Sequence, residues 1–168
     1  MFCQSSEEEQ EDIEDKTTAQ IPGKIVSAFR KDLEKGSCGG TLISRNYVLT
    51  AAHCCFEDKD PRIVNPQTVL PHVLQELDVV VKPSGVCDII VLDWESQICA
   101  AGTGPAKGPC PGDSGGPLMY YNTTGEGRYM LMGVVSAGTR CSNDDPDTNP
   151  GVYTRVSNVM PWILNNIR

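Results

Sequence analysis

The sequence predicts a mainly β fold closed by a single C-terminal helix. Short β-prone runs alternate with turn formers, with 16 Gly and 12 Pro among 168 residues. Eight cysteines, an even number, suit a loop-rich chain held by disulfides. Helical periodicity is confined to the last dozen residues.

The elements follow in order. Glu7, Glu8, Glu9, Glu11, Asp12, Glu14 and Asp15 supply seven of the 22 acidic residues, so residues 1–15 read as a solvated, disordered tail. Beyond it, residues 16–168 form one domain, with no repeat or linker inside. Lys24-Ile25-Val26 reads as the first core strand. Residues 41–43 and 47–50 are β-prone and separated by the polar turn Ser44-Arg45-Asn46. Residues 77–81 make another strand, stopped by Pro83. Residues 117–121 and 128–136 form a hairpin joined by the turn formers of 122–127. In the last element, Ser157 or Asn158 caps a helix with Pro161 in its first turn, and Val159, Trp162, Ile163 and Ile167 line one face.

Composition narrows the function. The net charge of -8 argues against nucleic acid, whose binders carry basic faces. No apolar run approaches the ~18–20 residues that span a bilayer, so a membrane is not an expected partner. Met1-Phe2-Cys3-Gln4 lacks the charged and apolar regions of a signal peptide. The cysteines nevertheless point to an oxidising compartment, and the sequon Asn122-Thr123-Thr124 agrees with a secreted glycoprotein. Zinc is the competing use of cysteine, but neither CxxC nor HxxxH spacing occurs, and no metal is expected.

Two histidines, His53 and His72, are the only candidates for an imidazole base. Gly112-Asp113-Ser114-Gly115-Gly116 sets a serine among glycines. Such a run is either a plain turn or a nucleophile: small neighbours let a substrate reach Oγ, and bare N–H groups can face an oxyanion. No histidine follows Ser114, which excludes the α/β-hydrolase order, and the parallel α/β pattern of subtilisins is missing. Histidine early and serine late is the order that remains.

At these residues the chain resembles the trypsin/chymotrypsin family of serine proteases. Residues 37–44 and 48–54, ending Thr50-Ala51-Ala52-His53-Cys54, are similar to its histidine block, and Cys110-Pro111-Gly112-Asp113-Ser114-Gly115-Gly116-Pro117-Leu118 to its serine block. Gly133-Val134-Val135-Ser136 and residues 149–156 resemble the later pocket strands, and Trp162-Ile163 the closing helix. The resemblance implies a chymotrypsin-like double antiparallel β-barrel, here incomplete, and a serine endopeptidase that needs no cofactor. It makes His53 the general base and Ser114 the nucleophile, with the N–H groups of Gly112 and Ser114 as oxyanion hole. It pairs Cys38 with Cys54, Cys87 with Cys99 and Cys110 with Cys141, leaving Cys3 and Cys55 over. Gly108 falls at the base of the specificity pocket, with Ser136, Gly138 and Gly151 beside it, an uncharged slot suited to an apolar or aromatic side chain. Ala137 stands where the family has tryptophan. Partners would be protein or peptide substrates and protein inhibitors.

Two family features are not in place. Asp88-Ile89-Ile90-Val91-Leu92 looks like the strand of the catalytic aspartate, but it precedes Ser114 by only 26 residues, too few for the second barrel. Residues 74–81 instead resemble a second-barrel strand, which puts Asp88 inside the loop between Cys87 and Cys99 and a deletion near 57–73. Asp113 matches the partner of the freshly cut N-terminal amine, yet the matching position, Ile13, has no Lys or Arg before it. A catalytically impaired homologue serving as a binding or decoy module is the alternative function.

Overall fold

The computed structural model describes residues 2–3, 24–28, 38–55, 76–83, 87, 93–103, 107–125, 127–138 and 150–167. Nine strands and one helix are assigned there: β1 Phe2–Cys3, β2 Lys24–Ala28, β3 Cys38–Ser44, β4 Tyr47–Leu49, β5 Val79–Val81, β6 Gln97–Gly102, β7 Pro117–Asn122, β8 Arg128–Gly138, β9 Gly151–Arg155 and α1 Val156–Asn166. They form two antiparallel sheets, in the orders β1-β4-β3-β2 and β5-β6-β9-β8-β7. Two antiparallel sheets and a C-terminal helix are the chymotrypsin-like architecture the resemblance implies.

The first sheet folds back on itself at Ser44–Tyr47, and β2 pairs along β3 from Lys24↔Leu42 to Ala28↔Cys38. Phe2 and Cys3 lie against Leu49 and Val48, a strand at a position read as disordered tail. In the second sheet, β7 and β8 make the expected hairpin, with Asn122 opposite Arg128 at its tip. A bulge between Val135 and Ala137 lets β8 turn along β9 while leaving Ser136 without an opposite residue.

Alternation of side chains across the strands sorts the apolar residues into cores. Ile98, Ala100, Leu118, Val135 and Tyr153 pack inside the second sheet. Leu49 of the first sheet and Ala51 just past it join Val134 from the second and Val156 and Ile163 of α1 in a shared core. Each fully buried aliphatic side chain contributes about 1.5–3 kcal/mol, so this mixed core binds the two sheets through the helix.

The helix departs from expectation in three respects. It starts at Val156 with Arg155 as N-cap and no side-chain cap, so neither Ser157 nor Asn158 caps it. Pro161 lies inside it rather than in its first turn. Trp162 is 42% exposed, and the inward face is Val156, Val159, Ile163 and Ile167. Arg155 explains the early start. Its N–H donates to the Ser96 carbonyl (2.8 Å), and its guanidinium donates to the carbonyls of Glu95 (3.0 Å), Trp94 (3.3 Å) and Gln97 (3.0 Å). The turn so held is also closed from within, because the Asp93 carboxylate accepts from Ser96 Oγ and Glu95 N–H, which keeps its carboxyl below the usual range.

Disulfides join Cys38 to Cys54 and Cys87 to Cys99. Cys110 is disulfide-bonded, while Cys141 lies outside the described residues. Cys55, left over in the sequence, is disulfide-bonded as well. His72, Asp88, Ile13 and residues 57–73 also lie outside them.

Candidate active site

The site is built where the two sheets touch. Residues 110–116 form a tight loop in which Asp113 N–H donates to the Cys110 carbonyl (3.0 Å) and Gly116 N–H to the Asp113 carbonyl (2.9 Å). The Asp113 carboxylate turns back on the same loop and accepts from Cys110 N–H at 2.7 Å. Gly112 (φ 106°) and Gly115 (φ 81°) take conformations that L side chains rarely adopt, which is why the serine sits among glycines. β8 fixes the loop from one side: Gly115 N–H donates to the Val135 carbonyl and Val135 N–H to the Gly116 carbonyl, both at 2.8 Å.

The first sheet fixes it from the other side. Gly39 N–H donates to the Ser114 carbonyl at 2.7 Å, and Thr50 Oγ1 in turn donates to the Gly39 carbonyl at 2.7 Å. The approach needs glycine, because a Cβ on Gly39 would lie 2.8 Å from Gly116 Cα. After Thr50 the chain enters a short 3-10 turn, Ala52–Cys54, with Ala51 buried beneath it. The turn carries His53 and is tied to β3 by Cys38–Cys54. Cys54 Sγ lies 3.6 Å from the Ser114 carbonyl oxygen, and a ring nitrogen of His53 lies within 4.8 Å of both disulfide sulfurs. Cys38, His53 and Cys54 thus share the spacing of a metal cluster, but sulfurs spent in a disulfide offer no thiolate.

His53 and Ser114 therefore come to one place, with the imidazole exposed and Ser114 half-buried. Among the described residues no hydrogen bond joins the two side chains, and the N–H groups of Gly112 and Ser114 donate to nothing. Two unspent N–H groups on one loop are what an oxyanion would need.

Of the residues expected at the pocket, Gly138 and Gly151 lie side by side. Gly138 pairs with Gly151 across β8 and β9, and a Cβ on Gly138 would lie 3.2 Å from the carbonyl oxygen of Pro109, the neighbour of Gly108. A Cβ on Gly151 would lie 2.9 Å from Pro109 Cδ. Behind them the Tyr153 hydroxyl is pushed up to about 12, first by burial and then by the charge of Asp113. Thr50, Gly39 and Val135 are site-forming residues without an assigned role in the sequence reading. Thr50 and Gly39 stood inside the histidine block, but only tertiary contact shows that they hold the serine loop.

The trypsin family model matches residues 18–70 and 61–163. The chain belongs to the trypsin family. Its relatives include the phenoloxidase-activating enzyme of Bombyx mori, 45% identical over 75 residues, which are 44% of this chain and 15% of that protein. The clotting factor G beta subunit of Tachypleus tridentatus is 48% identical over 67 residues, 40% of this chain and 20% of that one. Human tissue-type plasminogen activator is 41% identical over 80 residues, 44% of this chain and 13% of that one. The chain thus spans a fifth or less of these trypsin-family relatives. No described helix is long and apolar enough to cross a membrane.

Proposed function

We propose that this trypsin-family chain derives from a secreted serine endopeptidase and retains its nucleophile, base turn and oxyanion hole. The observation that carries this reading is the Gly39 N–H bond to the Ser114 carbonyl, which sets the His53 turn and the serine loop in one register. In the reaction, His53 takes the proton of Ser114 Oγ as the oxygen attacks a peptide carbonyl. The N–H groups of Gly112 and Ser114 receive the oxyanion. His53 then protonates the leaving amine, and water hydrolyses the acyl-enzyme. Gly108, Ser136, Gly138 and Gly151 form a slot without charge for an apolar or aromatic side chain before the cut bond. Protein inhibitors shaped like such substrates are the matching partners. In the activated form Asp113 would leave Cys110 N–H for a new N-terminal amine.

A segment between Phe56 and Leu74 is absent from this chain relative to the family domain, and the catalytic aspartate goes with it. Loss of that aspartate costs about 10⁴-fold in kcat in a serine protease triad, since the histidine is no longer held in the productive tautomer. The exposed His53, with no bond to Ser114 among the described residues, favours a second reading, a protease-like binding or decoy module.

A fluorophosphonate probe separates the two. The chain secreted from an oxidising host is expected to be labelled at Ser114, slowly, and not in Ser114→Ala. A folded product without label would sink the catalytic reading and leave the binding module.

A further inference from the structure

Asn122 sits at the tip of the β7–β8 hairpin, where its amide oxygen already accepts from Thr124. Thr124 Oγ1 donates to Asn122 Oδ1 at 2.7 Å, and Thr124 N–H donates to the same oxygen at 3.0 Å. Thr123, Thr124 and Gly125 are exposed, and Gly125 (φ 73°) and Gly127 (φ 67°) take the left-handed backbone that favours glycine in turns. Among the described residues Asn122 Nδ2 donates to nothing. Both bonds are accepted by Oδ1, and neither uses the nitrogen.

The neighbouring surface is unusual. Past the bulge at Leu118 and Met119, the ladder runs regularly through Tyr120↔Met130, Tyr121↔Tyr129 and Asn122↔Arg128. Alternation places Tyr120 and Asn122 on one face, above Met130 and Arg128. Tyr121 and Tyr129 stand on the other face and pack on each other, with ring centroids 4.9 Å apart. Among the described residues no ring stacks on Tyr120, which is 57% exposed, and Met130 is 45% exposed. An apolar pair two residues from the sequon, on the sequon's own face, has an occupant within reach.

We propose that Asn122 carries an N-linked glycan whose first sugar lies over Tyr120 and Met130. In the transfer, Nδ2 attacks C1 of the first N-acetylglucosamine of a polyprenyl-diphosphate-linked oligosaccharide, held by an oligosaccharyltransferase. The N–C1 bond forms as the C1–O bond breaks, the diphosphate leaves with the electron pair, and the amide gives one proton to the transferase's base. The sugar's C–H face then meets the electron-rich face of the Tyr120 ring. A glycan there turns an exposed apolar face into a covered one, which a hairpin at the edge of a sheet needs.

The proposal depends on export and not on catalysis, so Ser114→Ala is expected to carry the same glycan. The chain is expressed in a eukaryotic secretory host, and the mass of cellular and secreted protein is read before and after peptide N-glycosidase. Loss of a glycan mass with aspartate left at 122 is expected, and its absence in Thr124→Ala. An unmodified Asn122 overturns the proposal. On the glycosylated chain, NMR is expected to show the first sugar's protons shifted upfield by the ring and returned to ordinary positions in Tyr120→Ala. Shifts identical in the two proteins would remove the sugar from Tyr120. Dimerisation of the glycosylated chain that Tyr120→Ala abolishes would instead give this face to a second copy and overturn the cover.

Discussion

The two sheets meet at one site but are held together differently. The sheet that brings Ser114 has its own cores, one around Ile98, Leu118, Val135 and Tyr153 and a smaller one around Cys87, Cys99 and Val152. The sheet that brings His53 buries Leu49 and Ala51 in the core it shares with Val134 and helix α1. Its Thr41 is 1% exposed, and among the described residues the Oγ1 has no hydrogen-bond partner. A buried hydroxyl without a partner costs about 1–3 kcal/mol. Among the described residues, the half with Ser114 thus has cores of its own, whereas the half with His53 packs into the core it shares with the helix and the other sheet.

Removing the borrowed support gives the largest expected effect. Ile163→Ala empties the middle of the shared core and is expected to cost about 2–5 kcal/mol. Hydrogen exchange resolved by residue is the decisive measurement: amides of β3 and β4 should lose protection before those of β8 and β9. Equal loss in both sheets would erase the distinction.

Alkali tests the second sheet alone. Below pH 10 Tyr153 is neutral in the folded and unfolded chain, so it adds no pH dependence. Between the unfolded value of 10 and the folded value of about 12, the unfolded chain releases the proton first, and stability falls as pH rises. The loss should reach about 2 kcal/mol, read by denaturant titration across that window, and Tyr153→Phe should flatten it.

The smallest effect belongs to Thr41. Thr41→Val replaces the orphan hydroxyl by a methyl group of similar shape, and the melting midpoint is expected to hold or rise, by up to about 1 kcal/mol in stability. A clear loss would mean that the hydroxyl has a partner and that the first sheet is better satisfied than its contacts indicate.

Local patterns made much of this legible in the sequence. The hairpin of 117–138 followed from turn formers between two β-prone runs, and its tip falls at Asn122. The histidine and serine blocks named the residues that converge. What stayed hidden depends on partners distant in sequence. The helix begins one residue before Ser157 because Arg155 is anchored to the turn of residues 93–97, and no local cap signal records that. Trp162 sits at the margin of the helical stripe rather than on it, since Val156, Val159, Ile163 and Ile167 cluster more tightly in angle. Phe2–Cys3 gained a strand partner although acidic neighbours marked the tail as solvated. Nor could spacing alone show that Thr50 and Gly39 hold the loop of Ser114.

The contact between Gly39 and the serine loop is made of peptide groups, with no side chain between the two glycine backbones. A junction of that kind has no rotamers to repack and no volume to tune. Substitutions on either side leave it in place so long as both glycines and the Thr50 hydroxyl that holds the Gly39 carbonyl stay. Adding a single methyl group, by contrast, pries the halves apart. Such a seam admits almost no change within it, because what it carries from one sheet to the other is backbone position and not side-chain shape.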